Sequence, residues 1–137
     1  MKKNKEFEKE LLDINIKISC LFFLILTTTL YLIIFYKRRA EIIDDKCNTN
    51  YQDKYPDTSN YLRVIVIILL LVNGIFLYYS YQNLKDSINE YNITGVYSNV
   101  EANYNSFYTN LLQFGAVLIT FYNVFVLDID TTSIITG

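Results

Sequence analysis

The chain has 137 residues, enough for one domain, and 52% of them are hydrophobic, concentrated largely in three long blocks. Lys and Arg number 12 against 14 Asp and Glu, and this near-neutral balance argues against a nucleic-acid partner. The sequence has no His, which removes the usual metal ligand and the usual near-neutral proton carrier, so we expect no metal, no cofactor and no enzymatic activity.

The N-terminal segment, residues 1–17, is predicted to be an amphipathic helical extension. Opposite charges stand four residues apart at Lys9/Asp13 and Asp13/Lys17, which favours a helix. Two interpretations stay open, a solvated extension of the first span or a helix that lies on the surface or binds a partner. The apolar residues at helical spacing are Phe7, Leu11, Ile14 and Ile18.

The first apolar block, residues 18–36, carries no charge and approaches the roughly 20 residues that span a bilayer as a helix. A cleaved signal peptide is the alternative, but Lys37, Arg38 and Arg39 follow the block as a stop-transfer pattern. The first loop, residues 37–61, is polar and holds the only Pro, at position 56. Within it, residues 41–46 extend the helix, and Asp57 or Ser59 is expected to cap the next one.

The second apolar block, residues 62–81, is a predicted span, and Arg63 near its start reaches the headgroups. The second loop, residues 82–106, is rich in Asn, Ser and Tyr and is predicted to be irregular or weakly helical. The third span, residues 107–127, is uncharged but interrupted by polar residues, and residues 128–137 form a short emergent tail. The predicted fold is therefore all-α, with three transmembrane helices.

Aromatic residues stand where the bilayer boundaries are predicted, as is typical of membrane proteins. This placement supports three spans rather than two. Besides Arg63, the predicted interface anchors are Tyr36, Tyr61, Tyr79, Tyr81 and Tyr108.

The orientation is decided only by the position of the positive charges. With three spans, the N-terminus and second loop share six Lys or Arg, and the first loop with the start of the second span has the other six of the 12. Those at 37–39 and 63 lie against the membrane, which favours the first loop and the C-terminus on the cytosolic side. Asn92-Ile93-Thr94, on the other side, is an N-glycosylation acceptor motif.

Cys20 lies at the start of the first span and Cys47 beyond its end, so a helix would hold the two Cys too far apart for a disulfide. The acids Asp44, Asp45 and Asp128 stand at loop positions, as does Asp130 in the tail, and are expected to be solvated. No nucleotide loop, nucleophile with a base, or metal-ligand spacing occurs in the sequence.

The spans lack ionisable groups in their interior, which argues against active transport by this chain alone. They do carry uncharged polar and small residues suited to helix–helix contacts, and Asn73 is the expected hydrogen-bond partner of Gln113 or Thr120. Three uses stay open: closing a three-helix bundle, docking to another subunit, or lining a pore in an oligomer. The predicted contact residues are Thr27, Thr28, Asn73, Gly74, Asn110, Gln113, Thr120 and Asn123, with Ala116 in the third-span stripe.

Frequent Ile, Asn, Lys and Tyr, the absence of Trp and short loops are typical of proteins from AT-rich genomes. In composition and topology the chain resembles the small multi-pass proteins that large DNA viruses of eukaryotes place in the membrane beneath their capsid. Organelle proteins of ciliates and apicomplexans share the composition. The resemblance implies a structural component of a virion inner membrane with minor capsid proteins as partners; an accessory subunit of a respiratory or transport complex and a small oligomeric channel are the alternatives.

Overall fold

The computed structural model describes residues 1–128, with Ser98 described by its backbone alone. Throughout that range the regular elements are helical: α1 spans Lys2–Cys47, α2 spans Tyr61–Thr94 and α3 spans Ser98–Phe121. A 3-10 turn, Tyr51–Lys54, lies between α1 and α2, and a π-helical turn, Tyr122–Val126, continues α3. The all-α prediction is confirmed for the described residues. Three of the helices are long and apolar enough to cross a membrane. Of the predicted tail, residues 129–137 lie outside the described residues.

Helix α1 runs without interruption from the N-terminal extension through the first apolar block into the first loop. Its 46 residues correspond to a length of about 69 Å. The predicted helical continuation at both ends of the span is therefore confirmed. The helix ends where Asn48 adopts a left-handed conformation with φ of 51°, a usual way for a helix to stop.

A narrow stripe of α1 is buried, with Cys20, Thr27 and Ile34 at seven-residue intervals. Ala40 and Asp44, beyond the apolar block, are also buried, but they lie about 80–120° away from Ile34 around the helix. A spacing near 3.5 residues keeps one face of a long helix directed to one side. Most of the remaining surface of α1 is exposed, including many of its large apolar residues.

The prediction that residues 82–106 form an irregular or only weakly helical loop is wrong. Helix α2 continues to Thr94 and α3 begins at Ser98, so only residues 95–97 are non-helical. The buried residues Ser80, Leu84 and Ser87 recur at helical spacing, so burial of one face outweighs the low helix propensity of Asn, Ser and Tyr. Gly95, with φ of 73°, ends α2 in a left-handed conformation that costs glycine little.

The chain forms two compact units, which divide after Ile68. The first contains α1, the 3-10 turn and the start of α2, where Leu62, Ile65 and Val66 are fully buried. The second contains the rest of α2 and α3.

Within the second unit α2 and α3 contact each other through aromatic rings. The ring centroids of Tyr81 and Phe107 lie 6.0 Å apart. A Cβ atom added to Gly74 would lie 3.6 Å from Cε2 of Phe114. Gly74, a predicted helix–helix contact residue, therefore lies against this ring of α3.

Candidate functional site

The carboxylate of Asp44, near the end of α1, binds the segment between α1 and α2, residues 48–60, which we call the first connection. Oδ1 accepts hydrogen bonds from the Thr49 hydroxyl at 2.5 Å and the Tyr51 backbone N–H at 2.9 Å, and Oδ2 accepts one from the Gln52 N–H at 2.8 Å. Burial raises the pKa of Asp44, but these hydrogen bonds outweigh it and leave the pKa below its ordinary value. Asp44 is buried, so its prediction as a solvated acid is wrong.

A further hydrogen bond joins α1 to the first connection. The ammonium of Lys37 donates a hydrogen bond to the carbonyl of Pro56 at 3.1 Å. Asp57 accepts hydrogen bonds from the N–H and the hydroxyl of Ser59, and these, together with the charge of Lys37, lower the pKa of Asp57. The Asp57 carboxylate thus closes a local turn with Ser59, two residues further along the chain. Asp57 and Ser59 were the two residues predicted to cap α2, and here they bond to each other.

The hydrogen bonds of Asp44 and Lys37 place the 3-10 turn against α1, and a cleft of about 330 Å³ lies between them. The ammonium of Lys54 lies 5.1 Å from the centroid of the Tyr51 ring, within the range of a cation–π interaction. Sequence reasoning missed the cleft, because the Asp44 hydrogen bonds that form it have no sequence motif. The cleft is lined by Tyr36, Arg39, Ala40, Ile43, Tyr51, Lys54 and Tyr55.

Five of the eight predicted contact residues form a side-chain hydrogen bond within their own helix. The amide of Asn73 donates to the carbonyl of Leu69 at 2.8 Å, and its pairing with Gln113 or Thr120 remains a prediction. Such bonds to a carbonyl three or four residues earlier satisfy a polar side chain without a partner helix. The same arrangement is made by Thr27 and Thr28 to Leu24, Asn110 to Ser106 and Thr120 to Ala116.

The predicted stripe of the third span does not lie on one buried face. Asn110, Thr120 and Asn123 are half-buried, but Gln113 and Ala116 are exposed. Gln113 lies at the middle of the apolar stretch Asn99–Val126, and its side chain makes no hydrogen bond to another described residue. An amide in that position requires a partner when the helix is in hydrocarbon.

Each predicted interface anchor is exposed or half-buried. Tyr36, Arg63, Tyr81 and Tyr108 are exposed, and Tyr61 and Tyr79 are half-buried. The hydroxyl groups of Tyr104 and Tyr108 lie 3.3 Å apart, with ring centroids 4.8 Å apart. Aromatic pairs with a polar end suit a membrane–water boundary.

The glycosylation motif lies in the last turn of α2. Asn92 is exposed, and the hydroxyl of Thr94 donates to the carbonyl of Glu90 at 3.0 Å. Its use remains a prediction.

Both cysteines are free; Cys20 is buried and Cys47 is exposed at the end of α1. Their 27-residue separation along one helix corresponds to about 40 Å, far beyond disulfide reach. Within residues 1–128 no group of three His, Cys, Asp or Glu side chains is placed to hold a metal ion. Comparisons with family models, with curated proteins and with solved structures give no match to this chain.

Proposed function

We propose that the chain is a non-enzymatic membrane protein that crosses the bilayer three times and contacts a neighbouring protein at the membrane surface. The contact is made by the N-terminal extension, residues 2–17. One observation carries the proposal: this segment belongs to the same uninterrupted helix as the first apolar block, yet it leaves an apolar stripe uncovered.

The stripe consists of Phe7, Leu11 and Ile14, whose side chains are 64%, 51% and 52% exposed. Residues spaced by four and three positions lie on one face of a helix. Burying each such side chain against a partner contributes about 1.5–3 kcal/mol. Because α1 has no break where the apolar block begins, the extension continues away from the bilayer in the direction of the span. The stripe is therefore available to a protein rather than to lipid.

Photo-crosslinking in native membranes tests this contact. A photoreactive side chain at Leu11 is expected to yield a discrete protein adduct. Leu12 is the matched control, because it is 58% exposed but points about 100° away around the helix. Equal adducts at the two positions, or only lipid adducts at Leu11, would contradict the proposal.

The identity of the crosslinked protein tests the class of neighbour. The resemblance in composition to membrane proteins of large DNA viruses supports minor capsid proteins as that neighbour. Recovery of a respiratory or transport complex would contradict the capsid assignment and favour an accessory subunit.

The exposed Gln113 favours the accessory-subunit alternative, with docking through α3. A neighbouring subunit would supply the hydrogen-bond partner that the Gln113 amide lacks among the described residues. Under this alternative, Gln113→Leu releases the chain from a larger complex on native gels. Thr109→Val, which removes another exposed polar group of α3, leaves the complex intact.

The same variants separate docking from a channel. A pore would need the stripe of α3 to line water in an oligomer, and Gln113→Leu or Asn123→Leu would then abolish conductance in planar bilayers. A docking role predicts altered assembly and no current from either the variant or the parent protein.

A further inference from the structure

The cleft between the end of α1 and the 3-10 turn combines two cations with an aromatic and apolar wall. Arg39 and Lys54 line it together with three tyrosines and Ile43. Its volume of about 330 Å³ is at the lower end of the range for small-ligand sites, which suits a headgroup rather than a whole lipid.

Among residues 1–128 the two cations of the cleft form no salt bridge with the acids nearby. Glu41 pairs with Arg38 at 3.0 Å, and both oxygens of Asp44 accept hydrogen bonds from the first connection. Across residues 1–128, neither Arg39 nor Lys54 forms an ion pair. An anion entering the cleft would therefore meet two cations that are not held in a salt bridge.

The cleft also lies at the depth of the lipid headgroups. Arg39 follows Tyr36, the last residue of the apolar block, by three helical residues, or about 4.5 Å. The headgroup layer on each side of a bilayer is about 5–8 Å thick. Arg39 is thus placed at the level of lipid phosphates when the block spans the membrane.

We propose that this cleft binds the phosphate of an anionic glycerophospholipid from the leaflet that surrounds the end of the first span. Arg39 and Lys54 bind the phosphate oxygens, and the tyrosines and Ile43 contact the glycerol and the first methylenes. Anionic lipids are enriched in the cytosolic leaflet, which agrees with the predicted cytosolic side of the first loop. The proposal rests on membrane insertion and does not depend on the protein contact of the N-terminal extension.

Lipid association in a defined bilayer tests the proposal. The full chain is reconstituted in phosphatidylcholine nanodiscs with spin-labelled phosphatidylglycerol, and the motionally restricted lipid fraction is measured by electron paramagnetic resonance. Arg39→Gln and Lys54→Gln are each expected to lower the phosphatidylglycerol association constant about fivefold. Lys46→Gln is the matched control, because Lys46 is an exposed cation at the end of α1 that does not line the cleft.

Three outcomes would overturn the proposal. An equal loss in Lys46→Gln would assign the effect to general surface charge, and no loss in either cleft variant would exclude the site. Displacement of the spin-labelled lipid by excess inorganic phosphate would identify the ligand as a free anion. Arg39→Lys guards against misfolding, since it retains the positive charge that attracts the lipid phosphate and is expected to lower the association constant less than Arg39→Gln does.

Discussion

The side-chain carboxylate of Asp44 and the backbone N–H of Gln52, eight residues apart, are joined by a hydrogen bond of 2.8 Å. This bond, with those from Thr49 and Tyr51, attaches the first connection to α1. The cleft lined by Arg39 and Lys54 is a consequence of that attachment, because it places the 3-10 turn against the helix.

Replacing Asp44 with Ala is expected to release the first connection without unfolding α1. The backbone N–H groups of Tyr51 and Gln52 lose their acceptor and should exchange with solvent about tenfold faster or more. Hydrogen–deuterium exchange of the full chain in detergent micelles measures this. Asp45→Ala is the control at the neighbouring, exposed carboxylate, and equal exchange in the two variants would contradict the role of Asp44.

The attachment of the first connection is also expected to weaken in acid. The pKa of Asp44 is lower in the folded chain than its ordinary value, so the ionised carboxylate stabilises the folded loop above about pH 3.9, and this stabilisation is lost as the pH falls through the lower folded pKa. Amide exchange at Gln52, corrected for the intrinsic rate, should therefore increase over that acidic interval. Asp44→Asn should show no such step; a step that persists in this variant would assign the titration to another group.

Alanine substitutions at two glycines are expected to act in opposite directions. Gly74→Ala places a Cβ at ordinary contact distance from Phe114 within α2 and should stabilise the chain by up to about 1 kcal/mol through helix propensity. Gly95→Ala forces a left-handed conformation on a residue with a Cβ and should destabilise it by about 1 kcal/mol. Thermal unfolding in detergent, followed by circular dichroism, measures both. Marked destabilisation by Gly74→Ala would indicate a closer approach than the ring contact.

Reaction of Cys47 with a membrane-impermeant maleimide tests the orientation. Cys47 is exposed and Cys20 is buried, so labelling reports the first loop, with Cys47→Ser as the unlabelled control. A cytosolic first loop predicts labelling only after the cells are permeabilised. Labelling of sealed cells would reverse the orientation.

The state of Asn92 gives an independent test of the same orientation. A cytosolic first loop places Asn92 on the lumenal or exterior side, where its exposed side chain is accessible to glycosylation. In a eukaryotic host, glycosidase treatment should then increase the electrophoretic mobility of the chain, and Asn92→Gln should abolish the shift. Glycosylation together with labelling of Cys47 in sealed cells would be incompatible with a single orientation.

Local sequence determined the parts of this fold that depend on long runs of one kind of residue. The apolar blocks that start at Ile18, Leu62 and Phe107 each fall within a helix long enough to cross a bilayer, because a span needs only length, apolarity and internal hydrogen bonding. The helical continuation of residues 1–17 followed equally from charge spacing and apolar periodicity.

The sequence did not determine where polar side chains find their partners. Asn73 was expected to bond across to α3, and the bond that the structure gives its amide is to the Leu69 carbonyl of its own helix. Asp44 was expected in solvent, yet it is buried and organises the first connection. Only the tertiary structure decides such cases. A polar side chain in a helix can bond to a carbonyl of its own helix or to a remote group, and the two hydrogen bonds have similar free energies. The packing of the chain then selects between them.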